Sequence, residues 1–137
     1  MIYASQAVRA FGAEELVDLL TAARARNESA GVTGMLLYSG YSFLQVLEGD
    51  AAAVEQIYDL IRTDPRHASF RVLLDAGRPD RLFPDWTMGF EHLDEQALAA
   101  RVPGYTPSDR YPLMNPEYIV DGSVAETLFG LYAGHRV

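Results

Sequence analysis

The chain has 137 residues, enough for one domain to bury a core without a disulfide or structural metal, and it contains no cysteine, which removes thiolate chemistry altogether. Asp and Glu number 19 against 11 Lys and Arg, and the net charge of −8 argues against direct binding to a nucleic-acid backbone. Half the residues (49%) are apolar, which excludes a mainly disordered chain, and no stretch approaches a membrane span, so we expect a soluble, cytoplasmic protein with no membrane partner.

Weak alternation over Met1 to Ala7 predicts a first strand with Tyr3 and Ser5 on one face and Ile2 and Ala4 on the other. From Ala13 the period becomes helical. Leu16, Leu19, Leu20 and Ala23 form a stripe, Glu14 and Glu15 fall in the first turn, and Arg24 and Arg26 are expected in the last turn of a helix ending near Glu28. Gly31 and Gly34 separate this helix from two β-rich runs, Met35 to Ser39 and Ser42 to Glu48, joined by a tight turn at Gly40-Tyr41. Asp50 can cap a second helix with Val54, Ile57, Tyr58 and Ile61 inward, and Asp64-Pro65 stops it. Arg24 and Arg62 are read as complementing helix C-terminal dipoles.

Phe70 to Asp75 reads as a fourth strand. A polar loop, Ala76 to Asp85, leads to a fifth around Trp86 to Phe90, with Trp86 and Met88 sharing a face. The order βαββαββ predicts an α+β, ferredoxin-like sheet with two helices on one face. Leu44 and Val46 make the other face apolar as well, and the C-terminal tail or a partner subunit is expected to cover it. In that tail Leu93 to Arg101 suggests a short helix. Prolines follow, and Ser123 to Glu126 is a possible capping box for a final helix with Val124, Leu128 and Leu131 inward.

Gln45 does not suit an ordinary core. It shares its side of the strand with Phe43 and Leu47, and a buried amide without a partner costs about 1–3 kcal/mol. In a βαββα fold the first and third strands are neighbours, so Tyr3 and Gln45 can face the same helices. A Tyr3 hydroxyl donating to the Gln45 carbonyl would leave the amide N–H free for a ligand, and Asn27 at the helix end could meet that ligand's polar edge. No Ser-His-Asp spacing, metal cluster or Gly-rich phosphate loop is present, His67, His92 and His135 lack ligand spacing, and Asp94 and Glu95 read as a helix start.

The motifs IYASQ, RN-x-x-x-GVTGMLLYSGYSFLQVLEG, DPRH and FPDWTMGF, in that order, resemble the BLUF family of flavin-based blue-light sensors. The resemblance covers residues 1 to about 92, and the rest is similar to the two-helix cap of short, single-domain members. It implies a domain at 1–92, an extension at 93–137 packed on the sheet or a partner subunit, and no enzymatic activity. It further implies FAD, or FMN, held between the two helices. Tyr3 would be the electron and proton donor, Gln45 the bridge to the flavin, and Asn27 a bond to the ring's polar edge. Leu19 and Ile61 would sandwich the ring and Phe43 line it, with Asp64, Arg66 and His67 around its rim or side chain. Arg26 stands where some relatives carry Asn, and could meet a phosphate or solvent.

By the same resemblance, Tyr3 would give an electron and a proton to the light-excited flavin and take them back. Gln45 would be left rotated or tautomerised, with a small red shift, and Trp86 and Met88 would report its state to an unidentified downstream protein. A homo-oligomer is also expected. Two other readings compete: a small acylphosphatase-like hydrolase using Arg26, Arg66 and Asn27, and a non-catalytic oligomerisation module.

Overall fold

The structure, a computed structural model, describes residues 1–39, 41–75, 77, 80–93 and 129. The elements are β1 (Ile2–Ala7), α1 (Ala13–Ala30), β2 (Thr33–Ser39), β3 (Ser42–Glu48), α2 (Ala51–Arg62), β4 (His67–Leu74) and β5 (Gly89–His92). This is the expected βαββαββ order. The strands form one sheet in the order β4-β1-β3-β2-β5, antiparallel throughout except for β5, which joins β2 in parallel.

Period-2 alternation divides the sheet into two apolar layers. Tyr3, Leu36, Tyr38, Phe43 and Leu47 point to the side where α1 and α2 pack, and the stripe Val54, Ile57, Tyr58 and Ile61 of α2 closes on them. Ile2, Ala4, Met35, Leu37, Leu44 and Val46 point to the far side, where they meet Phe83, Leu93 and Phe129. Phe129 is helical and fully buried, so a residue of the tail does lie on the far face. The Gly40 turn position, the helix expected over Leu93 to Arg101 apart from Leu93 itself, which is not helical, the helix expected from residue 123, and the residues Val124, Leu128 and Leu131 lie outside the described residues.

Besides β2, which starts at Thr33 rather than Met35, three boundaries differ from the sequence reading. Helix α1 extends to Ala30, because Gly31 adopts a left-handed cap (φ 68°) and the Val32 N–H donates to the Asn27 carbonyl at 2.9 Å. Arg24 and Arg26 therefore precede the last turn, which holds no basic residue, and the dipole role survives only for Arg62 in α2. Asp50 stands at the N-cap of α2, but its side chain makes no capping bond. Strand β4 starts at His67 rather than Phe70.

The third difference matters for the site. Strand β5 starts at Gly89, so Trp86 and Met88 precede it and the alternation rule does not apply to them. They lie on opposite sides of the sheet. Met88 is buried in the helix-side layer with Tyr3, whereas Trp86 packs on the far layer, stacked on Phe83 with ring centroids 5.6 Å apart. Gly89 permits this crossing, since a Cβ there would lie 2.3 Å from the Trp86 ring.

Candidate functional site

Tyr3 and Gln45 are direct partners in the β1–β3 register, which sets both side chains on the helix face. The Tyr3 hydroxyl donates to Gln45 Oε1, and Gln45 Nε2 donates to the Met88 sulfur at 3.4 Å. All three residues are buried. A thioether is a weak acceptor, so the donor end of this amide is poorly satisfied for a buried group. Burial, the largest influence, holds the Tyr3 phenol far above its ordinary pKa; Arg26 opposes it and Tyr58 adds to it. Tyr3 is therefore a neutral hydroxyl donor, packed on Tyr58 and Phe70 at centroid distances of 4.9 and 5.9 Å.

Asn27 is fully buried on the inner side of α1, where it donates from Nδ2 to the Thr87 carbonyl at 2.6 Å. Its main-chain carbonyl accepts the Val32 N–H, so the end of the helix is pinned around it. Among the described residues, Asn27 Oδ1 and Arg26 Nε are buried side-chain polar atoms without a partner. Burial lowers the pKa of the Arg26 guanidinium, with Tyr3 and Asp64 raising it in opposition, and an arginine stays charged in such a setting. A buried open acceptor on Asn27 and a buried open guanidinium nitrogen on the half-buried Arg26, its neighbour in sequence, call for a ligand that offers both a donor and an acceptor.

Phe43 and Ile61 are buried in the same layer, and Leu19 packs half-buried against it. His67 lies beside Phe43 at 4.7 Å between ring centroids and shares a 3.3 Å hydrogen bond with Ser5 through Nδ1. Burial pulls the His67 pKa down to about 4, against Asp64, which raises it, so the ring is neutral at pH 7 and its 3.9 Å approach to Asp64 is no ion pair there. Asp64 and Arg66 satisfy each other: Nη2 lies 2.7 Å from Oδ2, Nε lies 3.0 Å from Oδ1, and the Arg66 N–H donates to Oδ1 at 2.9 Å. That pairing holds the Asp64 carboxyl below its usual range. With Arg66 closed on Asp64 and the Asn27 donor committed to Thr87, Arg26 alone of the three groups of an acylphosphatase-like cradle is left with an open buried donor.

Tyr3, Asn27, Phe43, Gln45, Ile61, His67 and Met88 thus meet in one layer, and Trp86 does not. Two contributors escaped the sequence reading. Arg24 donates from Nε to the Met88 carbonyl at 3.0 Å. Its spacing of three from Asn27 places both on one helical face, and this was the available signal. Glu48 is buried, accepting the Leu82 and Phe83 N–H groups at 2.8 Å each. An acid in register with Leu44 and Val46 on an apolar face marked it.

The open atoms can be tested against a flavin. The pyrimidine edge of an isoalloxazine presents an acceptor, an N–H donor and an acceptor. Arg26 Nε and Gln45 Nε2 are donors in need of acceptors, and Asn27 Oδ1 is an acceptor in need of a donor. The residues present fit the group. The fold and site define an α+β ligand-binding domain in which one buried amide can read a bound heterocycle.

A family model described as sensors of blue-light using FAD matches residues 1–89. The chain belongs to this family, BLUF, whose domain is a flavin-binding photoreceptor rather than a catalyst, and FAD is the family's flavin. It is 38% identical over 82 residues to photoactivated adenylate cyclase subunit alpha of Euglena gracilis, a match covering 60% of this chain and 8% of that protein. It is 39% identical over 70 residues to the blue light- and temperature-regulated antirepressor BluF of Escherichia coli, covering 51% of this chain and 17% of that one. The chain therefore spans a small part of these relatives' length. The dark-state structure of the BLUF protein BlrB superposes with a TM-score of 0.69 at 31% identity, over 92% of this chain and 93% of that one. Among the described residues no helix is long and apolar enough to cross a membrane, and no group of His, Cys, Asp or Glu could hold a metal ion.

Proposed function

We propose that this chain senses blue light through a change in the bonding of Gln45, and that the change leaves the site through Met88. The observation that carries the reading is the buried chain Tyr3 to Gln45 to Met88, next to the two open atoms of Arg26 and Asn27. FAD supplies the absorption of blue light and, once excited, a strong electron acceptor. Arg26, Asn27 and Gln45 would hold its polar edge, Leu19 and Ile61 would flank the ring, Phe43 would line it, and Asp64, Arg66 and His67 would shape its rim. Tyr3, a buried neutral phenol bonded to Gln45 Oε1, would be the electron and proton donor, with Gln45 as its bridge to the flavin.

What persists is the orientation of one amide. With Oε1 accepting from Tyr3, Nε2 is aimed at the Met88 sulfur. A half-turn of the amide reverses both contacts. Nε2 then faces Tyr3, and Oε1 confronts the sulfur as one acceptor facing another. Neither supplies a hydrogen, so Met88 must yield. Two residues back, Trp86 is stacked on Phe83, which meets Phe129 edge-on at 6.1 Å, and a shift at Met88 is passed through this aromatic row to the extension at 93–137. A downstream protein, or a further copy of the chain, reads that extension.

The FAD-loaded Tyr3→Phe variant tests the donor. It should keep the bound, yellow flavin and lose the persistent light-induced red shift. A normal shift in that variant would remove Tyr3 from the photochemistry.

A further inference from the structure

Thr87 and Met88 sit between two pinned stretches. Upstream, the Glu48 carboxylate holds the N–H groups of Leu82 and Phe83, and the Gly34 N–H donates to the Trp86 carbonyl at 3.0 Å. Downstream, Gly89 opens the β5 ladder opposite Met35. The two residues between are held by side chains: Asn27 on the Thr87 carbonyl at 2.6 Å, Arg24 on the Met88 carbonyl at 3.0 Å, and Gln45 on the Met88 sulfur at 3.4 Å.

We infer that Arg24 is a positioning residue, a latch that holds the Met88 main chain against α1 and so sets how long the light-induced arrangement lasts. The inference rests on the reading of Gln45 given above. When Oε1 turns toward the sulfur, the Met88 side chain can withdraw only as far as its main chain allows. Asn27 is part of the ligand site, and its bond to Thr87 is tied to the ring. Arg24 touches neither Tyr3 nor Gln45, and its side chain lies in an exposed position on α1. Its guanidinium can therefore exchange the carbonyl for water and take it back. The bond is present when the sulfur rests on the amide, so it favours that arrangement over one in which Met88 has moved. Losing it stabilises the light-induced arrangement relatively and slows the return.

The test uses the full chain loaded with FAD, reading the size of the red shift and the rate of dark recovery in Arg24→Met, Arg24→Gln and a remote control, Arg9→Ala. Arg24→Met keeps the stem and lacks the donor; it should leave the dark spectrum and the red shift unchanged and slow recovery roughly two- to tenfold. Arg24→Gln, whose amide nitrogen stands the same number of bonds from Cα as Nε, should recover at close to the wild-type rate without a charge. Arg9→Ala should not differ from wild type. Wild-type recovery in Arg24→Met, or equal slowing in Arg24→Gln or Arg9→Ala, would overturn the latch and assign any effect to charge. If Arg24→Met loses FAD, Arg24→Ala carries the same expectation. Absence of a red shift in the wild-type protein would instead remove the reading of Gln45 on which the latch depends.

Discussion

Each side chain at the centre of this site is there because its partner would otherwise be costly. A buried Gln amide with one end on a phenol and the other on a sulfur is half-satisfied, and that imbalance makes it responsive to a bound heterocycle. His67 carries a different cost. Its side chain is only 5% exposed and burial depresses its pKa from 6.5 to about 4. The unfolded chain therefore takes up the proton first as pH falls. Stability from this residue is full above pH 6.5, declines as pH drops from 6.5 toward 4, and is not regained below. Between pH 7 and pH 5 the loss amounts to about 2 kcal/mol. Urea unfolding of wild type and His67→Gln at the two pH values checks this: the wild type should lose more stability than the variant on acidification by about that amount, and equal losses would contradict a neutral, desolvated ring.

The elements explain both what the sequence reveals and what it hides. Alternation within β1 and β3, with the strand order of a βαββα unit, was enough to bring Tyr3 and Gln45 together, and helical periodicity gave the α2 stripe Val54, Ile57, Tyr58 and Ile61 in full. Trp86 and Met88 were misassigned to one face because alternation needs a ladder, and the ladder starts only at Gly89. Arg24 was misread because its partner is a carbonyl 64 positions away; its spacing of three from Asn27 marks the helical face but does not name that partner. Two glycines around β2 separate space from conformation. At Gly34 a Cβ would lie 1.9 Å from the Val46 carbonyl oxygen, inside the β2–β3 pair, whereas at Gly31 it would meet nothing within 4 Å but faces a φ of 68°. Gly34→Ala should cost about 3 kcal/mol or more by forcing the strands apart. Gly31→Ala should cost about 1–2 kcal/mol through backbone strain alone. Denaturant midpoints of the two variants check the order, and a milder effect at Gly34 would contradict the close approach.

For the molecule as a whole, the candidate ligand site and the far face are two sides of one sheet, crossed by a short segment that enters one layer at Met88 and the other at Trp86. A group that satisfies Arg26 and Asn27 binds the folded chain alone, so FAD at one hundred times its dissociation constant should add about 2.7 kcal/mol of stability. A thermal melt with and without FAD checks this, and Asn27→Leu should weaken the gain by leaving Arg26 as the sole open polar atom on that helix. The central claim is that the orientation of Gln45 is the stored signal. Light-minus-dark absorbance of FAD-loaded wild type beside Gln45→Leu tests it most directly. The wild type should show a red shift that persists after the light is off and decays in the dark, while Gln45→Leu should bind FAD and show none. A persistent red shift of wild-type size in Gln45→Leu would contradict the account.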